Sequence, residues 1–213
     1  MRFSCVLFDV DGTLVDSAPV VIDVFEDTLP ALGLPVPPRA ELLKQVGPPL
    51  WESFPDLGVA PADVPAAITA YRSRYVERCL EPPLFPGMDD VLARLASAGL
   101  PLATATSKQE PMARAQMDHL GLTDRFTVIA GATPGPDSTK ATVVRDALAR
   151  LAAAGADVSR PVLVGDRIFD LNGAREVGIE CIAVGWGYAQ PGEMDDAHHH
   201  APTPADLLSL LLD

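Results

Sequence analysis

The chain has 213 residues, the length of one domain or of one domain carrying a smaller insertion. Hydrophobic residues make up 48% of it, which excludes a disordered chain, and no apolar run approaches the about 20 residues of a membrane span. Sixteen basic against 29 acidic residues give a net charge of −13, a surface that repels nucleic-acid polymers and membranes, so any phosphate site must be locally positive or hold a metal.

The N-terminal Met1-Arg2-Phe3-Ser4 runs straight into a strand, without the pattern of a signal peptide. Cys5-Val6-Leu7-Phe8 is a short apolar run, the mark of a strand buried on both faces. From Ser17 to about Cys79 only helical periodicity follows: Val20, Val21, Val24, Phe25 and Leu29 on one face, Leu42, Leu43 and Val46 on another, Ile68, Tyr71, Tyr75 and Val76 on a third. Prolines cluster at Pro35, Pro37 and Pro38, at Pro48 and Pro49, and in Pro82-Pro83-Leu84-Phe85-Pro86-Gly87, which reads as a stiff connector. Beyond it the alternation returns. Strands are expected at Leu100 to Ala105, Phe126 to Ala130, Pro161 to Gly165 and Cys181 to Val184, and helices around Val91, over Met112 to Leu120, Ala141 to Ala154, Leu171 to Val177 and Ala205 to Leu212. The fold class is therefore α/β, a doubly wound, Rossmann-like parallel sheet, with an all-α domain inserted after the first strand. The expected division is a core of residues 1–15 and 87–213 and an insert of residues 16–86. The three cysteines have no paired spacing and are expected as reduced core thiols of a cytoplasmic protein.

In an open parallel sheet, ligands bind outside the carboxyl ends of the strands. The residues standing there are Asp9-Val10-Asp11-Gly12-Thr13, then Thr106-Ser107-Lys108, then a loop ending in Ser138-Thr139-Lys140, then Gly165-Asp166-Arg167 with Asp170. Carboxylates gathered at one point either raise each other's pKa or demand a cation, and oxygen ligands without His or Cys suit Mg²⁺. A carboxylate beside bound phosphate can act as a nucleophile, and a second one two residues on, turned back by Gly12, can handle the leaving-group proton and then activate water.

Phe8-Asp9-Val10-Asp11-Gly12-Thr13-Leu14-Val15-Asp16-Ser17 resembles the first signature of the haloacid dehalogenase superfamily, in its phosphatase branch. Thr106-Ser107 resembles the second motif, Lys140 the third, and Gly165-Asp166-Arg167-Ile168-Phe169-Asp170 the fourth, in that order and across nearly the whole core. The helical insert matches the small cap of that family. The resemblance implies that Asp9 is nucleophile and metal ligand, and that Asp11 is general acid/base and offers its carbonyl to the metal. Asp166 and Asp170 complete the metal site, Thr106 and Ser107 hold the phosphoryl group, and Lys140 neutralises it. It implies Mg²⁺ as cofactor and a small soluble phosphate ester as substrate. Val46-Gly47-Pro48-Pro49-Leu50, Tyr71-Arg72 and Asp137-Ser138-Thr139-Lys140 lean towards bacterial 5′-nucleotidase-like proteins, beside phosphoglycolate-phosphatase-like ones. A phosphoglucomutase-like phosphotransferase and a metal-independent dehalogenase are the alternatives.

The remaining candidates carry plainer expectations. Arg72 is the best substrate contact in the insert, with Lys44, Trp51, Tyr71 and Tyr75 as further candidates and the two tyrosines sharing one helix face as core. Asp16-Ser17 reads as a helix N-cap ahead of Pro19. Lys108 reads as a solvated residue at a helix start, His198-His199-His200 as a solvated loop, and Trp186 and Tyr188 as cover for the sheet edge.

Overall fold

A computed structural model describes residues 1–135 and 137–213. Its centre is a parallel sheet of β1 (Cys5–Phe8), β2 (Leu102–Gln109), β3 (Val128–Ala132), β4 (Pro161–Gly165), β5 (Glu180–Val184) and β6 (His199–Ala201). The spatial order is β3-β2-β1-β4-β5-β6. β1 lies where the winding direction reverses, and Phe8 stands level with Thr104 on β2 and Val164 on β4. Asp9 and Asp166, just beyond β1 and β4, and Thr106, in the last half of β2, are therefore delivered to one edge of the sheet.

Successive strand residues point to opposite faces, so each strand feeds two cores. Val6 and Phe8 join the core covered by α5 (Met88–Ser97), α6 (Glu110–His119) and α9 (Pro204–Leu212). Cys5 and Leu7 join the core covered by α7 (Lys140–Ala153) and α8 (Ile168–Val177). All three cysteines are free and buried. Among the described residues no helix is long and apolar enough to cross a membrane.

Between β1 and α5 come α1 (Ala18–Ala31), α2 (Arg39–Leu42), α3 (Leu50–Asp56) and α4 (Val64–Arg78). These helices enclose a third core of their own, in which Phe25, Phe54 and Tyr71 form an aromatic cluster and Tyr71 stacks on Tyr75.

Two expectations need correction. The strand expected to end at Ala105 runs on to Gln109, so Lys108 belongs to β2 rather than to a helix start. The histidine tract is exposed at His198 and His200, as expected, but it is not simply a loop: His199 to Ala201 form the edge strand β6, His199 Nε2 lies 2.7 Å from Glu180 Oε2, and His198 Nδ1 accepts the Cys181 N–H. The Pro48-Pro49 pair does mark a boundary: α3 begins directly after it, with Pro49 at the N-cap, where its missing N–H costs nothing.

Candidate active site

The loop after β1 is wound tightly, the Val10 carbonyl accepting the N–H groups of Thr13, Leu14 and Val15. Gly12 makes this turn at φ +84, and a Cβ there would lie 2.3 Å from Asp166 Oδ2. The turn thus needs glycine twice over, for its backbone angle and for the carboxylate packed against it. Asp166, at the end of β4, is gripped by the Thr13 hydroxyl (3.2 Å) and the Tyr188 N–H (2.7 Å). One oxygen of Asp170 accepts the N–H groups of Asp166 and Arg167, opening α8; the other has no aligned hydrogen bond. Lys140, the first residue of α7, brings its ammonium to 2.9 Å from Asp9 and 2.8 Å from Asp170 and donates to the Ala105 carbonyl.

Asp9, Asp166 and Asp170 are buried, and one oxygen from each lies within 4.8 Å of the others. Burial, with Asp170 adding to it and Lys140 opposing it, pushes the Asp9 carboxyl up to about 6. Burial, with Asp170 and Asp9 behind it, pushes Asp166 well above the usual carboxylate range. For Lys140 burial acts the other way, but Asp170 and Asp9 outweigh it and hold the amine above an ordinary lysine. With all three carboxylates ionised, the one Lys140 ammonium, which already faces Asp9 and Asp170, leaves two negative charges unbalanced in a dry site of hard oxygen donors. That is the donor set and the charge that a divalent cation of the Mg²⁺ type requires.

Asp11 stands beside this cluster and faces another cation. The Lys108 ammonium lies 2.9 Å from Asp11 Oδ1, donates to Gln116 Oε1 at 2.6 Å, and sits 5.4 Å from the centre of the Tyr75 ring. Lys108 is buried, so its reading as a solvated side chain is overturned. Extension of β2 past Thr106 turns it inward, onto Asp11. Thr106 Oγ1 accepts the Lys108 N–H, whereas the Ser107 hydroxyl is buried without a partner.

Above Asp11 and Ser107 a pocket opens between the sheet edge and the helical insert, and Gln45, Trp51, Arg72 and Tyr75 line it. Arg72 is half-buried there and forms no ion pair with the described residues. The Gln45 amide oxygen, the Trp51 indole N–H and the Tyr75 hydroxyl are all buried without partners. Tyr71 and Tyr75 are core residues that also form the pocket wall. Lys44 is not: its ammonium pairs with Glu41 on the exposed side.

Two aromatic residues expected at the sheet edge instead brace the loop after β1 and the start of α1. The Trp186 indole donates to the Thr13 carbonyl. The Tyr188 hydroxyl donates to Asp16 Oδ1 at 2.7 Å and accepts the Ala18 N–H. Ser17 does occupy the N-cap of α1, but its hydroxyl makes no capping bond. Arg167 and Glu193 carry contacts, and Gln45 a place on the pocket wall, that no local pattern announced; the one available signal for Arg167 was its place beside Asp166.

The family profile described as haloacid dehalogenase-like hydrolase matches residues 6–184. The chain is 42% identical over 192 residues to the protein named tyrosine-protein kinase PtkA of Mycobacterium tuberculosis, covering 89% of this chain and 65% of that protein, so it spans about two thirds of the length of that relative. It is 33% identical to a 5′-nucleotidase of Pseudomonas aeruginosa, covering 99% of this chain and 95% of that one. Its fold superimposes on the crystal structure of a predicted phosphatase from Clostridium acetobutylicum with a TM-score of 0.91 at 28% identity, over 100% of this chain and 99% of that one. The chain belongs to the haloacid dehalogenase-like hydrolase family.

Proposed function

We propose that this chain is a Mg²⁺-dependent phosphatase, a phosphoric monoester hydrolase that cleaves a small soluble ester of the phosphoglycolate or nucleoside monophosphate type through an aspartyl-phosphate on Asp9. Residues 16–86 serve as its cap and residues 1–15 and 87–213 as its catalytic core. The observation that carries this reading is the convergence of Asp9, Asp166 and Asp170 at one point, with Lys140 paired to Asp9 and Asp170, beside an independent acid at Asp11. A metal-independent dehalogenase has no use for three buried carboxylates at one point. The free, buried cysteines support a reducing, cytoplasmic setting.

Asp9, Asp166 and Asp170 would hold the ion, with the Asp11 carbonyl as a further ligand. When bound, it supplies positive charge to neutralise the carboxylates and the phosphoryl oxygens. Lys140 keeps the Asp9 carboxylate charged and aimed. Thr106 and Ser107 stand at the end of β2 to receive phosphoryl oxygens, the unpartnered Ser107 hydroxyl among the donors. The Asp9 carboxylate attacks phosphorus, the phosphorus–oxygen ester bond breaks, and Asp11 gives its proton to the departing alkoxide. Water then attacks the aspartyl-phosphate, Asp11 takes the proton, and inorganic phosphate leaves with Asp9 regenerated. The cap excludes bulk water from the intermediate and presents Arg72 to the leaving group.

The test is a panel of phosphate esters, from 2-phosphoglycolate through nucleoside monophosphates to sugar phosphates, with Mg²⁺ and with EDTA. Phosphate release that needs Mg²⁺ and vanishes in D9N supports the reading; turnover by D9N, or turnover indifferent to EDTA, overturns it. A second reading, phosphoryl transfer to a protein tyrosine, is favoured by the 42% identity to proteins named tyrosine-protein kinase. Incubation with ATP and a tyrosine-containing peptide separates the two, since the first yields inorganic phosphate and the second phosphotyrosine.

A further inference from the structure

Arg167 directly follows Asp166, yet its guanidinium is spent on the cap. Its Nε donates to Glu193 Oε1 at 2.8 Å, and its Nη1 donates to the Lys44 carbonyl at 3.2 Å and to the Val46 carbonyl. Glu193 is fixed independently, since it also accepts the N–H groups of Ile168 and Gln190. The guanidinium is therefore anchored on the core side whether or not the cap is down. Gly47 packs against its stem: a Cβ there would come within 3.0 Å of Arg167 Cγ, and its backbone lies at φ +101. Among the described residues, two core side chains hydrogen-bond to the cap: Tyr188 meets its start, at Asp16 and at Ala18, the first residue of α1, and Arg167 meets the 44–46 segment deeper in it.

The two carbonyls that Arg167 holds flank Gln45, and the same loop leads through Pro49 into α3 and Trp51. Gln45 presents a buried amide oxygen and Trp51 a buried indole N–H, both unpartnered and both on the pocket wall. Buried polar atoms left unpaired cost free energy, and a bound molecule that completes them recovers it. A planar guanidinium with forked donors can bridge a carboxylate and two carbonyls at once, which an ammonium on a flexible stem cannot.

We propose that Arg167 is a positioning residue for substrate selection: it holds the 44–51 segment so that Gln45 offers an acceptor and Trp51 a donor to the leaving group. The preferred substrates are then phosphate esters whose alcohol carries both a hydrogen-bond donor and an acceptor, not plain alkyl or aryl phosphates. The proposal rests on the phosphatase reading, and it adds the chemistry that the cap selects.

The experiment compares the full-length protein with R167M, with G47A, which reaches the same contact from the cap side, and with Q45L. Each is assayed with the best ester of the panel and with phenyl phosphate, and amide hydrogen exchange is followed over residues 43–49 without substrate. In R167M the preference for the best ester over phenyl phosphate falls about tenfold, the size of one lost charge-assisted hydrogen bond, through KM rather than kcat. Exchange of the Val46 N–H, which donates to the Leu43 carbonyl, rises in R167M and in G47A. Q45L loses the same preference, and the R167M/Q45L pair loses little more than either alone. Unchanged preference in R167M, or in G47A where R167M does not fold, overturns the proposal whether or not exchange rises, because Arg167 would then be structural only. The exchange arm requires no turnover, so a parent protein without phosphatase activity counts against the proposed function while the loop contact is still read directly.

Discussion

The ammonium of Lys108 lies 2.9 Å from the Asp11 carboxylate, inside a buried triangle closed by Gln116 and the face of Tyr75. A general acid must be aimed as well as acidic, and in the proposed reaction this contact would fix the rotamer of Asp11 towards the leaving group. K108M should lower kcat by about ten- to a hundredfold, the range of a misaligned general acid, with a smaller change in KM. The variant also strands the Gln116 amide in the core. K108M/Q116L removes that orphan, so the melting temperature should recover while kcat stays low. Recovery of both would mean that Lys108 serves stability alone.

The clustered carboxylates were legible because Asp9 and Asp166 each follow directly on an apolar strand: Phe8 then Asp9, Gly165 then Asp166. Lys140 was legible through its place between motifs. The supporting residues were not, because their partners are remote in the chain. Lys108 meets Asp11 97 positions away, Tyr188 meets Asp16 172 away, and Arg167 meets Val46 121 away. No periodicity encodes such pairs. Edge strand β6 was hidden for another reason: three residues, two of them histidine, carry no alternation that a reader of patterns can find.

Substitution of Asp166 should separate stability from function. Its carboxyl is pushed well above the usual range by burial and by two neighbouring acids, so at neutral pH its charge weighs against folding. D166N keeps the shape and removes the charge. In EDTA the variant should be more stable than the parent by about 1 kcal/mol, as expected where a site trades stability for function. With Mg²⁺ the order should invert, because the parent alone gains from the ion. Thermal melts of both proteins, with and without Mg²⁺, decide it; a D166N protein that melts below the parent in EDTA contradicts the electrostatic account.

The pH dependence follows with its sign. Asp9 is raised to about 6 and Asp166 is raised as well, so the folded protein holds protons that the unfolded chain releases near pH 4. Their contribution to stability is full below the unfolded carboxylate pKa and is lost as pH rises through the folded values. An ion must displace those protons, so Mg²⁺ affinity should climb as pH rises through about 6. Titration calorimetry at pH 5, 6, 7 and 8 should show weak binding at the acid end, tighter binding above it, and proton release that varies with buffer ionisation enthalpy. Affinity independent of pH across that range would place the ion elsewhere.

Gly12 combines a left-handed backbone angle with close packing on a carboxylate of the site. At φ +84 an alanine is strained, and its Cβ would overlap the Asp166 oxygen at 2.3 Å, a contact that rotation cannot relieve while Thr13 and the Tyr188 N–H hold that carboxylate. Something must move: either the turn opens and carries Asp11 away from Lys108, or Asp166 leaves the other carboxylates. G12A should therefore cost about 2 kcal/mol or more in urea unfolding and weaken Mg²⁺ binding in the protein that remains folded. G33A makes the control, because Gly33 has a comparable φ of +74 with nothing within 4 Å of the added carbon. If G12A and G33A lose equal stability and bind Mg²⁺ equally well, the cost is one of backbone angle alone and the packing of Gly12 on Asp166 has no part in assembling the site.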